Sequence, residues 1–306
     1  MQPYRDADGK INVAIVENPY SGNSLIGREF YEGPKILETG GLKDRLFNLG
    51  CNLKEISVVK LTPEEDQERG NWNRVGYAVG HLGRFVAANQ KRGYFTIGLL
   101  ANCPSLTGML AGLQHSGGWR SLRVGLVWID SHGDFNTPEA SVSGALGEMP
   151  VAVAAGLCLN RLRLRAGLDP PLPTKYIVMA GIRDIYPFEQ ELLDRSEIEF
   201  LSSDDIKNLT GNIDHQMKRL SQITDIIYVH VDADVLDPTE VSGFNHPVPG
   251  GPTSKELGAA LTVMFKYEKT AAFGIASTPY KNDTDGVARN ATYRLIEGAI
   301  KGVKER

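Results

Sequence analysis

Two acidic clusters, Asp130-Ser131-His132-Gly133-Asp134 and Asp232-Ala233-Asp234, each close a strongly apolar run of the chain. Carboxylates bind hard divalent cations through oxygen and an imidazole adds a nitrogen, so four acids and one histidine brought together make a metal site. An oxygen-rich set of this kind suits Mn(II) or a similar ion. This many carboxylates can hold two ions, with one or two aspartates bridging. Either cluster alone has a plainer reading, as a strand cap or a solvated loop. The pair is harder to dismiss, because four acids at the ends of two apolar strands repel one another unless a cation balances them.

The elements that must position these groups are visible in the hydrophobic pattern. Residues 124–129 and 226–231 read as buried strands, and alternation along a strand would turn Asp130, His132 and Asp134 to one side and Asp232 and Asp234 to one face. Further strands are expected near residues 11–16, 53–59, 94–100, 176–182, 198–201 and 271–275, with 124–130 and 226–232 completing about eight. Helical spacing falls at residues 33–49, 64–91, 105–114, 149–155, 187–194, 213–221, 254–267 and 286–304. This alternation implies a three-layer α/β/α fold with a mostly parallel central sheet, and ligands in such sheets bind beyond the carboxyl ends of the strands. Both clusters fall there.

At 306 residues and 42% hydrophobic content, residues 1–306 are expected to form one large α/β domain, with no linker or low-complexity tract. A formal charge of −4 with scattered Lys and Arg disfavours nucleic acid. With no apolar run of membrane-spanning length and no signal-peptide core, a soluble cytoplasmic protein is expected. Cys51, Cys103 and Cys158 make no disulfide framework and read as free thiols.

With these motifs in place, the chain resembles the ureohydrolases: arginase, agmatinase, guanidinobutyrase and formiminoglutamase. The resemblance rests on Trp128-Ile-Asp-Ser-His-Gly-Asp-Phe-Asn-Thr-Pro138 and Val231-Asp-Ala-Asp-Val-Leu-Asp-Pro238, and it extends from Gly33-Pro34 to the region of Pro279. It implies a binuclear manganese centre, with Fe(II), Co(II) or Zn(II) as alternatives if a thiolate takes part, and a metal-bridging hydroxide that attacks the carbon of a guanidinium or related amidine. Carried over by position, Asp130 and Asp232 would bridge the ions, His132 and Asp234 would complete one, and Asp134 would serve the other.

Several positions depart from the family. Where a Gly-Gly-Asp-His segment would supply a second histidine, this chain has Leu100-Ala-Asn-Cys103. Cys103 is either a small buried filler or a thiolate ligand; a ligand cysteine resembles the branch that hydrolyses Nω-hydroxy-L-arginine to hydroxyurea and ornithine. A thiolate would weaken the Lewis acidity of its ion and favour a softer metal. Ala276 stands where arginase-like members pair a glutamate with the guanidinium, and Gly147 stands at the proton-shuttle histidine. Glu148 and the loop residue His246 are the candidates to move that proton. Asn136 and Ser143 match positions that bind an α-carboxylate, and Tyr186 replaces an acid that helps hold the α-amino group. His230 reads as a packed, hydrogen-bonded neighbour of the site.

The expected activity is hydrolysis of a C–N bond in a small guanidino amino acid, L-arginine or Nω-hydroxy-L-arginine, giving urea or hydroxyurea plus ornithine. The alternatives are a metal-binding relative that has lost turnover and a hydrolase of another amidine or amide. Oligomeric state, a homo-oligomer included, is left open.

Overall fold

The computed structural model describes residues 4–20, 30–241, 247–278 and 283–306. Eight strands form one sheet: β1 (Ile11–Asn18), β2 (Cys51–Val58), β3 (Phe95–Leu100), β4 (Val124–Ile129), β5 (Ile177–Ala180), β6 (Glu199–Leu201), β7 (Ile226–Asp232) and β8 (Thr270–Ala276). Their order is β2-β1-β3-β8-β7-β4-β5-β6, and every pairing is parallel. Each residue of β3, β4, β5, β7 and β8 is buried. That explains their unbroken apolar runs, since helices cover both faces of a parallel sheet. The expected three-layer α/β/α architecture is the one observed.

The helices differ from the sequence reading in instructive places. The expected helix over 64–91 is two, Pro63–Asp66 and Asn71–Lys91, because Gly70 at φ +87° breaks the regular backbone. The one expected over 33–49 is interrupted at Gly41 (φ +110°) and reads Gly33–Leu37, a wider turn over Glu38–Leu42, and Lys43–Asn48. Two helices were not expected, Asn160–Ala166 and Ser203–Asn208. The first, Asn-Arg-Leu-Arg-Leu-Arg-Ala, alternates polar and apolar residues at the spacing of a strand, and tertiary packing of Leu162, Arg163 and Ala166 overrides that pattern.

Parallel pairing sends the carboxyl ends of all eight strands to one edge of the sheet. The order places β3, β8, β7 and β4 side by side at its centre. Whatever follows these four strands therefore meets in one place, although the segments are far apart in the chain.

Candidate metal centre

Strand alternation is not what gathers the acids. β4 ends at Ile129, and the chain then leaves the sheet as a loop in which Asp134 takes a left-handed backbone (φ +49°). β7 ends at Asp232 and turns at once into a short 3-10 segment, Ala233–Val235. The loop is fixed by hydrogen bonds rather than by the pleat. The Asp130 carboxylate accepts from the His132 amide (2.8 Å), and Asp232 accepts from the Asp234 amide (3.1 Å). Glu189, buried at the start of helix Pro187–Asp194, accepts from the Phe135 amide (2.8 Å) and the Tyr186 amide (3.3 Å), pinning the loop from behind. A Cβ on Gly133 would crowd the Glu189 carboxylate, which is a steric reason for glycine between His132 and Asp134.

Two donor triads result, and they share Asp130. Ligand atoms of Cys103, Asp130 and Asp134 all lie within 4.8 Å of one another, as do those of Asp130, His132 and Asp234. Asp232 joins them through its Oδ2, 2.7 Å from Cys103 Sγ. Cys103 arrives from β3 at the start of a short turn whose amide is capped by Asn102 Oδ1 (2.7 Å). All six predicted donors are thus in one cluster.

The electrostatics of the two triads differ. Burial opposes a charge on His132, but hydrogen bonds to Asp130 and Asp234 outweigh it and hold the imidazole protonated up to about 12. Asp234 is correspondingly lowered, because the His132 bond and the Ser131 hydroxyl (2.7 Å) overcome its burial. Asp130 is raised to about 7 by burial and then by Asp234. On the other side Asp134 and Asp232 are pushed well above the carboxylate range, first by burial and then by neighbouring carboxylates, Asp130 for Asp134, and Asp234 and Asp130 for Asp232. The Cys103 thiol is raised by burial and by Asp232, Asp134 and Asp130. Four acids and a thiol with one imidazolium are unbalanced in a low-dielectric pocket, so this donor set fits divalent cations.

The remaining candidates are less concentrated. Asn136 is buried with its Oδ1 unpartnered. The Glu148 carboxylate receives the hydroxyls of Ser141 (2.8 Å) and Ser143 (2.6 Å), so Ser143 and Glu148 are engaged with each other. Tyr186 is 45% exposed at the N-terminus of its helix. Ala276 ends β8 in register with Asp232 and brings no charge. His246 lies outside the described residues. The sequence reading missed Ser277, whose hydroxyl sits 3.6 Å from Cys103 Sγ on a backbone at φ +55°. Nothing in its local pattern marks it, although a non-glycine residue in that region is a strained position of the kind found at functional sites.

A parallel sheet whose central strands end in a buried, charge-unbalanced acidic cluster defines a metal-dependent class of α/β protein. The chain belongs to the arginase family, whose sequence model matches residues 103–297. An arginase from Bacillus caldovelox is 27% identical over 281 residues, covering 89% of this chain and 92% of its own. The mitochondrial arginase-2 of Homo sapiens is 30% identical over 259 residues, covering 80% and 71%. Among solved structures, Entamoeba histolytica arginase in complex with L-ornithine aligns with a TM-score of 0.81 at 26% identity, covering 98% of this chain and 99% of that one. The protein is a hydrolase acting on C–N bonds of amidines. The family works with a binuclear metal centre, and the two triads meeting at Asp130 form a candidate cluster for one. No helix among the described residues is long and apolar enough to cross a membrane.

Proposed function

We propose that this chain, as one ureohydrolase-like domain, hydrolyses the terminal C–N bond of a guanidino amino acid, Nω-hydroxy-L-arginine ahead of L-arginine, in the manner of the cysteine-ligand branch. The observation that carries the reading is the pair of donor triads sharing Asp130, with Cys103 inside the cluster rather than beside it. In this reading Asp130, His132, Asp234, Cys103, Asp134 and Asp232 would hold two divalent ions, with Asp130 and Asp232 serving both. Manganese is the first candidate, and the thiolate brings Fe(II), Co(II) and Zn(II) into range. When bound, the pair lowers the pKa of water and supplies the nucleophile.

The chain's own residues do the rest. Asn136 and Ser143 receive the substrate's α-carboxylate, and Tyr186 lines the approach to the α-amino group. Ser143 must exchange its bond to Glu148 for one to substrate, which frees the Glu148 carboxylate to take up a proton given off by the attacking water and pass it to the departing nitrogen; His246 is the second candidate for that transfer. Ala276 offers no counter-charge to a guanidinium, and a less basic N-hydroxyguanidine needs none. The same missing anchor, together with Gly147, favours a second reading in which the protein hydrolyses another amidine or amide.

Reconstitution with Mn(II), Co(II) or Fe(II), elemental analysis, and assay of urea, hydroxyurea and ornithine over a guanidine panel separates the two. About two ions per chain and release of hydroxyurea are expected. Turnover of a different amidine without release of ornithine selects the second reading, and a metal content near zero under all three conditions sinks both.

A further inference from the structure

We propose that Tyr228 and His230 form a hydrogen-bonded relay that holds an N–H on the sulfur of Cys103 and so sets how strongly that sulfur donates to the ion beside it. The inference rests on the reading of Cys103 as a ligand and deepens it. His230 is wholly buried on β7, with Nε2 3.7 Å from Cys103 Sγ and Nδ1 2.8 Å from the Tyr228 hydroxyl oxygen. Its ring stacks on Trp128 with centroids 4.4 Å apart and planes at 10°, and the Tyr228 ring meets it edge-on at 5.8 Å. The stack fixes the plane of the ring, and the Tyr228 hydroxyl fixes which edge carries Nδ1. Gly274, the register partner of His230 on β8, admits the arrangement: a Cβ there would overlap the Tyr228 hydroxyl.

The sulfur dictates the direction of both hydrogen bonds. A cysteine sulfur held by a cation has given up its proton and can only accept. The nitrogen facing it must therefore carry the hydrogen. In a neutral imidazole this leaves Nδ1 as an acceptor, and a phenol hydroxyl can donate to it. Tyr228 thereby supports the tautomer that the sulfur requires, much as carboxylates and backbone carbonyls orient metal-bound histidines from behind. A hydrogen bond into a thiolate withdraws charge from the sulfur, so the ion beside it keeps Lewis acidity that an unpartnered thiolate would suppress. A ring placed there for packing alone would not need either nitrogen matched, and an apolar aromatic would stack on Trp128 without the cost of burying two polar atoms.

The test uses the full chain reconstituted with Co(II), comparing wild type with Tyr228→Phe, His230→Leu and His230→Gln by absorption spectroscopy, elemental analysis and chelator competition. Wild type should show a sulfur-to-cobalt charge-transfer band. Without the N–H the sulfur electrons rise in energy, so the band should move to lower energy in His230→Leu, and by less in Tyr228→Phe, which keeps the N–H but loses the hydroxyl that polarises the ring behind it. One of the two ions should nevertheless bind roughly 10- to 100-fold more weakly in His230→Leu, because a buried sulfur without the N–H holds its proton more tightly against the metal. His230→Gln, whose side-chain amide supplies an N–H from a similar position, should keep the band near its wild-type energy. An unshifted band in Tyr228→Phe and His230→Leu, with two ions bound, overturns the relay. If His230→Leu does not fold, Tyr228→Phe decides alone, since it removes one oxygen atom. Two cobalt ions in wild type with no sulfur band overturn ligation by Cys103 itself, a failure distinct from an unshifted band.

Discussion

Strand β7 carries an aspartate at each end, and the two lead opposite lives. Asp225, just before the strand, accepts from Arg123 Nη2 (3.0 Å), the Arg123 amide (2.9 Å) and Arg120 Nη1 (3.0 Å). Those arginines hold its carboxyl well below the ordinary range. Asp232, at the other end, is buried with the Cys103 thiol against it and Asp130 and Asp234 close by, and burial followed by their charge pushes it well above that range. Where the chain supplies its own cations, an acid serves as an anchor. Where it buries acids and withholds the cations, the balance must come from outside, which is the physical signature of a metal pocket.

That contrast can be broken most forcefully at Asp232. Asp232→Ala should reduce activity to background and sharply lower metal content, and Asp130→Ala should do the same, because each loss removes a donor shared by two ions. Yet the metal-free Asp232→Ala protein should melt no lower than metal-free wild type, since a buried carboxylate without a counter-ion has been removed. Wild-type turnover with full metal loading in either variant would show that the cluster is wrongly assigned.

Chelation exposes the same imbalance as a pH dependence. A buried acid whose pKa is raised on folding binds more protons in the folded state than in the unfolded state, so stability falls as pH rises between the two values. For Asp130 that window runs from the ordinary carboxylate range to about 7, and Asp134 and Asp232 extend it in the same direction. Thermal melts of the chelated protein should therefore decline across this window, whereas the reconstituted protein, its carboxylates ionised throughout, should not. Parallel pH profiles would argue against metal as the balancing charge.

A smaller effect is expected at Cys103. Cys103→His should keep both ions while lowering the ratio of Nω-hydroxy-L-arginine to L-arginine turnover by roughly tenfold, the scale on which metal surroundings act. In wild type the thiol should resist alkylation until the metal is removed. An unchanged ratio with equal alkylation in both forms would leave Cys103 as packing. The smallest effect belongs to the arginine-paired end of β7. Asp225→Asn should cost on the order of 1 kcal/mol at neutral pH and leave turnover intact. Because the folded pKa of Asp225 is depressed, the difference from wild type should persist down to about pH 3.9 and shrink below it, where the carboxyl of the unfolded chain takes up a proton while the folded one stays ionised. A loss of metal in this variant would erase the distinction between the two ends.

Much of the molecule was legible before any coordinates, for identifiable reasons. Buried parallel strands are apolar without interruption, so β4 and β7 stood out within a residue of their observed bounds. The breaks at Gly70 and Gly41 were not, because glycine is permitted in helices and only the path of the chain reveals its positive φ. The acids are legible as a set, but a loop and a tight turn gather them rather than the alternation of a strand.

By itself the sequence determined which groups were available and on which strand ends they stood: Asp130, His132, Asp134, Asp232, Asp234 and Cys103 all follow runs whose burial is written in their composition. Only the tertiary structure decided that Cys103 and Asp232, 129 positions apart, are in contact, that Ser277 joins them, and that Tyr228 and His230 stand behind the sulfur. The physical reason is the origin of each kind of order. Strand formation and burial follow from residues within a few positions of one another, whereas the adjacency β3-β8-β7-β4 is set by pairing between distant segments, which no local pattern encodes.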